Sequence, residues 1–227
     1  MSRRFPIFAC IALLALALNA HAGEIIDRIV ASVNGQIILQ SDWDDAVRYE
    51  TFIDNRDLAG VSAADRKATL DRLIDQELLR EQMRSSDFAR GTDEQDVNQR
   101  MAQVQAQYAA KSEAQWKAVL AEHHVEELEL KRRVAMQLDM LRLVDDRLRP
   151  TIQIDPKSIE SYYQQSLLPQ LRNSGAADVP LSDVTPKIKE LLTQQKLDQL
   201  LTSWLQNLRA TSQIRTQPDP RDQGLLQ

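Results

Sequence analysis

Two adjacent histidines, His123 and His124, are the side chains of this sequence best suited to metal binding or acid–base catalysis. Neighbouring positions on a helix point about 100° apart, so the two rings cannot share one metal as a pair four residues apart can. The sequence has one cysteine, Cys10, which lies in a predicted export signal. Because a zinc site needs more ligands than such a pair supplies, we predict an exposed histidine pair in preference to a metal or acid–base site.

Asp42, Asp44 and Asp45 form an acidic cluster with the oxygen chemistry of a calcium ligand set. A calcium loop alternates its ligands around a glycine and ends with a glutamate, and this segment has neither feature. Ser41 and the aspartates instead follow the order of a capping box, and negative charge is favourable in the first turn of a helix. The sequence therefore predicts a helix start here and no metal ligands or cofactor.

The remaining candidates for a functional role are large apolar side chains, which could form a binding surface. Broad indole rings and flexible thioethers let one surface accept many apolar sequences. Such residues at helical spacing are usually buried, so a place in the core is the alternative for each. The candidates for a substrate-binding surface are Trp43, Met83, Met101, Trp116, Met136, Met140 and Trp204.

The first residues have the pattern of a secretory signal. Arg3 and Arg4 precede an apolar run over residues 7–18, and Ala20 and Ala22 provide the small residues of a cleavage site. We predict a signal peptide over residues 1–22, cleavage after Ala22 and an exported protein. Because the run is shorter than the ~20 residues of a spanning helix, no stable membrane insertion is expected.

Composition narrows the remaining function classes. The formal charge is −5, and cleavage would remove two arginines and bring it to −7. This acidity argues against nucleic acid as a partner, since phosphate backbones reward clusters of lysine and arginine. Six glycines and few aromatic residues indicate a mainly helical protein.

The elements that must position these residues begin with a β-hairpin. Residues 25–33 and 36–39 are rich in β-branched side chains and flank Asn34-Gly35, the dipeptide that favours a two-residue hairpin turn. An isolated hairpin is only marginally stable, so a further strand or helix must cover it. We predict that a short strand near residues 212–216 joins the hairpin, and that the tail over residues 218–227 is disordered.

Helices are predicted for most of the remaining chain. The helix over about residues 125–149 has an apolar side wide enough for more than one neighbour. Pro169 is expected to end a helix that starts at Asp155, and residues 173–182 read as a linker. The other predicted helices cover about residues 42–55 and 62–84, start near residues 91 and 112, and close the chain over about residues 185–211.

The order of these elements resembles the SurA family of periplasmic chaperones. The resemblance lies in the signal, the hairpin over residues 26–42, the helix segment over residues 70–79 and the closing stretch over residues 187–214. It implies a mainly α fold, a helical chaperone core with an N-terminal β-hairpin joined by a short C-terminal strand. The implied composite domain covers residues 23–217, with residues 23–168 and 185–217 on either side of a linker over residues 169–184.

This sequence departs from the family at that linker. SurA-type chains usually carry one or two parvulin prolyl-isomerase domains there, whereas residues 164–184 are fewer than half of the ~50 that a small domain needs. We therefore expect no enzyme activity. The resemblance implies binding of unfolded outer-membrane or exported polypeptides and help with their folding and delivery, without ATP.

Two alternatives remain open at this point. A dedicated interaction subunit would hold an amphipathic segment of one exported partner, and a prolyl isomerase would turn over a short proline peptide. Because each chain end needs the other, we also predict that terminal elements can swap between two chains to form a homodimer.

Overall fold

The computed structural model describes residues 27–85 and 91–217, so the predicted signal and the C-terminal tail lie outside the described residues. Within them the protein is mainly α-helical, as predicted. The strands are β1 (Ile29–Val33), β2 (Gln36–Leu39) and β3 (Ile214–Thr216). The helices are α1 (Gln40–Ile53), α2 (Ala63–Ser85), α3 (Glu94–Gln107), α4 (Glu113–Glu122), α5 (Glu127–Leu148), α6 (Pro156–Tyr162), α7 (Leu168–Asn173) and α8 (Leu181–Thr211).

The three strands form one antiparallel sheet in the order β2-β1-β3. Asn34 and Gly35 form the hairpin turn with φ angles of 48° and 88°, the left-handed conformation that primed turns require. β3 lies on the other side of β1, with Ile214 opposite Val33. The predicted pairing of the hairpin with a C-terminal strand is thus confirmed.

The start of α1 differs from the predicted capping box. The helix begins at Gln40, directly after β2, and the backbone N–H of Leu39 donates to the Asp42 carboxylate at 2.9 Å. The Ser41 hydroxyl donates instead to Asp27, before β1. Because no loop separates the strand from the helix, the cap falls earlier in the chain, and Ser41 is free to contact the start of the hairpin.

Other helix starts follow the local sequence. The hydroxyl of Ser62 accepts from the Asp65 backbone N–H at 3.1 Å, and the Asp65 carboxylate accepts from the Ser62 backbone N–H at 3.0 Å. This is a reciprocal capping box at the start of α2, where the sequence predicts a helix start. At α6, the Asp155 carboxylate accepts from the Ser158 backbone N–H at 2.9 Å.

Three clusters of buried side chains hold the elements together. The sheet core joins β1 and β2 to α1 and α2, and Leu208 and Ile214 of the closing segment pack on it. The middle core joins α1 to α3, α4 and α5. The closing core joins α2 and α5 to α8, with Leu197 of α8 buried at its centre. α8 therefore completes a core that begins more than a hundred residues earlier in the chain.

The segment between α6 and α8 is more ordered than the predicted linker. A π-helical turn (Tyr163–Leu167) carries the chain from α6 into α7, so Pro169 does not end the helix. In the first turn of α7 its missing N–H costs little. The Tyr163 hydroxyl then donates to the Val179 carbonyl at 2.7 Å, and Arg172 pairs with Asp178 at 2.9 Å.

α8 also begins four residues earlier than predicted, at Leu181, and includes Pro186. The boundaries predicted for the linker, residues 169 and 184, thus fall inside α7 and α8. The contacts of the Tyr163 and Arg172 side chains, which the polar composition of this stretch does not indicate, hold the turn. Among the described residues, no helix is long and apolar enough to cross a membrane.

Candidate functional site

Three of the seven predicted binding residues are core residues. Trp43, Trp116 and Met140 are 3%, 4% and 7% exposed. The indole N–H of Trp43 donates to the Arg66 carbonyl at 2.8 Å, and that of Trp116 donates to the Glu127 carboxylate at 3.0 Å. The expected surface position therefore does not hold for these three, because the two indoles have their partners inside the fold and Met140 is buried in the closing core.

The other four are partly exposed. Met83, Met136 and Trp204 pack on the closing core around Met140, whereas Met101 packs on the middle core. The guanidinium of Arg147 lies over the Trp204 ring, 4.7 Å from its centre. The fold thus brings Met83, Met136, Met140 and Trp204 into one region, where α2, α5 and α8 meet. A binding role for the partly exposed four remains a prediction.

An apolar groove lies beside the closing core, between α5 and α8. We call it the α5–α8 groove. It encloses about 330 Å³, and Leu141 stands on its α5 wall with 57% of its surface exposed. The lining residues are Leu138, Leu141, Arg142, Val144, Asp145, Arg149, Gln194, Leu197, Asp198 and Leu201. The volume of the groove is within the range of about 300–1,000 Å³ typical of ligand pockets.

The groove continues as a shallower depression along α8. The two share Gln194 and Asp198, and the second contains Leu191, which is 38% exposed. Leu141 and Leu191 were not among the predicted binding residues. The signal for Leu141 was the wide apolar side of α5, which has more apolar positions than one neighbouring helix can cover.

Charged side chains form the rim of the groove and pair with one another. Arg149 donates to Asp145 on its own helix and, at 3.2 Å, to Glu190 of α8 across the groove. The hydrogen bond to Asp145 is the main cause of a raised pKa for Arg149, and the hydrogen bond to Glu190 is the second. Arg142 forms an ion pair with Asp96 of α3. Arg142 and Arg149 therefore already have carboxylate partners.

Asn34 has a second function that its turn position does not reveal. Its side-chain amide donates to Glu81 of α2 at 2.6 Å and to the Ser212 hydroxyl at 3.2 Å. Its side-chain oxygen accepts from the Gln213 backbone N–H at 2.8 Å. One side chain thus connects the hairpin turn, α2 and the link from α8 to β3.

Arg209 fixes the C-terminal part of α8 to α2. Its Nε donates to Asp75 at 2.6 Å and its Nη2 to the Asp71 carbonyl at 2.8 Å. The hydrogen bond to Asp75 is the main cause of a raised pKa for Arg209. Together with Asn34, this contact positions the helix that forms one wall of the groove.

The histidines are far from a metal-site geometry. His123 follows the last turn of α4 and its ring makes edge contacts with Phe52 and Tyr108, at 5.3 Å and 5.4 Å between ring centres. His124 is exposed and has a φ of 53°. In the described ranges no group of three or more histidine, cysteine, aspartate or glutamate residues could hold a metal ion.

Comparison with known proteins supports the architecture. A solved structure described as one of two structurally related SurA-like chaperones, the virulence factor PEB4 and the periplasmic protein Cj1289 of Campylobacter jejuni, matches with a TM-score of 0.50. The match covers 83% of this chain and 98% of that chain at 11% identity. At this identity the likeness shows a SurA-like fold. No protein-family model and no curated protein sequence matches this chain.

Proposed function

We propose that this protein is a periplasmic, ATP-independent chaperone that binds unfolded outer-membrane or other exported polypeptides and assists their folding and delivery. The observation that carries the proposal is an exposed apolar groove formed by the closing helix of a SurA-like fold. The fold match supports the class of protein, and the predicted signal over residues 1–22 supports the compartment. We propose that it acts without catalysis.

The exposed leucines provide the binding energy in this proposal. Leu141 and Leu191 face solvent on opposite walls of the groove region, where a client side chain can remove them from water. Burial of apolar surface contributes about 25 cal/mol per Å², and ordering an extended chain offsets part of it. The difference between this gain and this cost corresponds to an affinity of about micromolar strength, which permits release of the client without nucleotide hydrolysis.

The test dilutes an unfolded outer-membrane β-barrel protein from denaturant and follows light scattering without nucleotide. The protein is expected to suppress aggregation at a few-fold excess. Replacing the two exposed leucines, Leu141→Gln and Leu191→Gln, should weaken suppression about thirtyfold, because each loses on the order of 1 kcal/mol of apolar burial.

Leu128→Gln is the matched control. Leu128 lies on the same helix as Leu141, is 64% exposed and does not line the groove. The control should suppress aggregation as well as the unchanged protein. No suppression by the unchanged protein at any ratio would contradict the proposed function, and equal losses in groove variant and control would contradict the assignment of the groove.

A further inference from the structure

The dipeptide Asn34-Gly35 has a chemistry of its own besides its preference for the hairpin turn. It is the only Asn-Gly pair of the sequence. In such a pair the backbone nitrogen of glycine attacks Cγ of the asparagine, because glycine has no side chain that hinders the approach. The bond from this nitrogen to Cγ forms, the Cγ–Nδ2 bond breaks, and the side-chain nitrogen leaves as ammonia with the backbone proton. Water then opens the cyclic imide, which leaves aspartate or isoaspartate at position 34.

Water reaches this turn. Asn34 and Gly35 are both exposed. Apart from the two chain neighbours of Gly35, no atom of the described residues lies within 4 Å of the point where a side chain of Gly35 would begin. The folded protein therefore offers no steric barrier to hydrolysis of the imide. The restraint on the reaction lies in the orientation of the Asn34 side chain.

Four hydrogen bonds in the described part of the chain hold Asn34, and three of them come from the closing segment, residues 181–217. The side-chain amide donates to Ser212 at 3.2 Å, and the side-chain oxygen accepts from the Gln213 backbone N–H at 2.8 Å. The Asn34 backbone N–H donates to the Gln213 carbonyl at 3.0 Å, and Glu81 accepts the fourth bond. These bonds fix the amide toward α2 and the link from α8 to β3, whereas the reaction requires Cγ to turn onto the next backbone nitrogen.

The contact with Glu81 determines what the product does to the fold. Nδ2 of Asn34 donates to Oε2 of Glu81 at 2.6 Å. Deamidation puts a carboxylate oxygen where the donor was, and two carboxylates in contact disfavour each other's ionised form. Isoaspartate also lengthens the main chain by a methylene within a tight turn, whose geometry sets the register of the hairpin. Either product weakens the site where the closing segment docks.

We propose that Asn34 is a deamidation site that the docked closing segment protects, and that its deamidation weakens the docking of that segment. The reaction proceeds in molecules whose closing segment has opened, and the carboxylate it leaves opposes redocking. A reversible opening is thereby converted into a permanent covalent change. This inference concerns the integrity of the fold and does not rest on the proposed function.

The first test compares the folded and the unfolded chain. The mature protein is incubated at mildly alkaline pH with and without guanidinium chloride, and mass spectrometry follows the peptide that contains Asn34. The folded protein reacts only through its open state, so its rate follows the population of that state. We expect deamidation to be at least about a hundredfold slower in the folded protein, because opening of packed elements costs a large part of the stability of a domain.

Variants that loosen the closing segment should accelerate the reaction without denaturant. Leu208→Ala removes part of the contact with the sheet core. The rate should rise about tenfold, which corresponds to about 1.4 kcal/mol of opening free energy. Arg209→Gln removes the hydrogen bond to Asp75 and is the milder variant, with a rise of about threefold. It keeps the test decisive if circular dichroism shows that Leu208→Ala does not fold.

Two controls separate opening of the closing segment from general effects. Leu128→Ala changes a leucine of α5 that is 64% exposed, and it should leave the rate at Asn34 unchanged. Asn173 is exposed at the end of α7 and precedes Ser174, so it is another asparagine before a small residue in the same chain. Its own deamidation rate should be the same in the parent and in both loosened variants.

Asn34→Asp introduces one of the two products directly. In the parent protein it should raise the equilibrium constant of unfolding about tenfold, because the new carboxylate faces Glu81. In the Glu81→Gln background the same change should raise this constant less than about threefold, because the second negative charge is absent. Urea denaturation of the four proteins measures both effects.

Three outcomes would overturn the proposal. Equal deamidation rates in the folded and the unfolded chain, or a rate that no folded loosened variant raises, would show that the closing segment does not protect Asn34. An equal cost of Asn34→Asp in the two backgrounds would show that the product does not oppose docking through Glu81. None of these measurements involves a client, so the proposed function stands or falls separately.

Discussion

The side chain of Asn34 lies where the hairpin turn, α2 and the end of α8 meet. Its dipeptide with Gly35 predicts the turn, because both residues tolerate positive φ. Its hydrogen bonds to Glu81, Ser212 and Gln213 are contacts that local sequence does not indicate. The residue therefore has one role in local geometry and another in tertiary structure, and a suitable substitution separates them.

Asn34→Gly keeps the positive φ and removes the side chain. We expect the free energy of unfolding to fall by about 2 to 3 kcal/mol, because the three partly solvated hydrogen bonds contribute up to about 1 kcal/mol each. Urea denaturation measures the change. Asn55→Gly is the matched control, since Asn55 also has a positive φ, of 51°, and sits in the turn after α1.

The control is expected to lose no stability, because glycine adopts positive φ without steric cost. Equal losses at the two positions would mean that the Asn34 side chain contributes nothing beyond the turn. The two roles assigned to Asn34 would then reduce to one.

At the scale of single elements, serine–aspartate pairs define helix starts. In α2 the Ser62 hydroxyl and then its backbone N–H hold the pKa of Asp65 below its ordinary value of 3.8. In α6 the hydroxyl and backbone N–H of Ser158 lower the pKa of Asp155 in the same way. Because the folded-state pKa is depressed, the stabilising contribution is complete above about pH 4 and is lost as the pH falls through the folded-state value.

Removing both hydroxyls tests these caps. We expect the Ser62→Ala, Ser158→Ala double variant to be less stable than the parent at neutral pH, because the caps are weakened. Its loss of stability on acidification below about pH 4 should be smaller, since the pKa shifts shrink with their largest cause. Urea denaturation at a series of pH values measures both effects.

Ser203→Ala serves as the control for the caps. The Ser203 hydroxyl donates to the Gln199 carbonyl within α8 and contacts no carboxylate. This variant should follow the acid dependence of the parent protein. A steeper acid loss in the double variant than in the parent would contradict the sign of the shifts.

At the scale of the whole molecule, the hairpin and the closing segment over residues 181–217 pack together. β3 pairs with β1, and Leu208 and Ile214 complete the sheet core. Leu197 is buried in the closing core, where Trp204 also packs. The described fold therefore joins segments nearly 180 residues apart, as the 178-residue separation of Asn34 and Ser212 shows.

Ending the chain after Pro180 should abolish the cooperative thermal transition. Each large apolar side chain removed from a core costs about 1.5 to 3 kcal/mol, so the loss of several approaches the ~5–15 kcal/mol that stabilises a whole domain. Near-ultraviolet circular dichroism during heating measures the transition. A peptide covering residues 181–217, added to the truncated chain, should restore it.

An unchanged melting temperature in the truncated chain would contradict the composite domain. Restoration by the separate peptide would also show that the closing segment can dock from outside its own chain. The predicted homodimer, in which two chains exchange terminal elements, requires a closing segment that can dock onto another chain.

Local sequence predicts the parts of this fold that depend on neighbouring residues. The turn at Asn34 and the cap at Ser62 involve residues at most three apart, so propensity and spacing are enough. The start of α1 could not be placed in this way, because Ser41 contacts Asp27 on the far side of the hairpin. Trp43 and Trp116 look like binding residues until their indole partners inside the fold are known.

The sequence by itself determined the helical class, the hairpin, the third strand and most helix starts, because short-range hydrogen bonding and hydrophobic periodicity control them. Only the tertiary structure decided that Leu141 remains exposed while Leu197 is buried. Exposure depends on which helix packs against which. The α5–α8 groove exists only because α8 returns to α5, a contact between distant segments that no local pattern specifies.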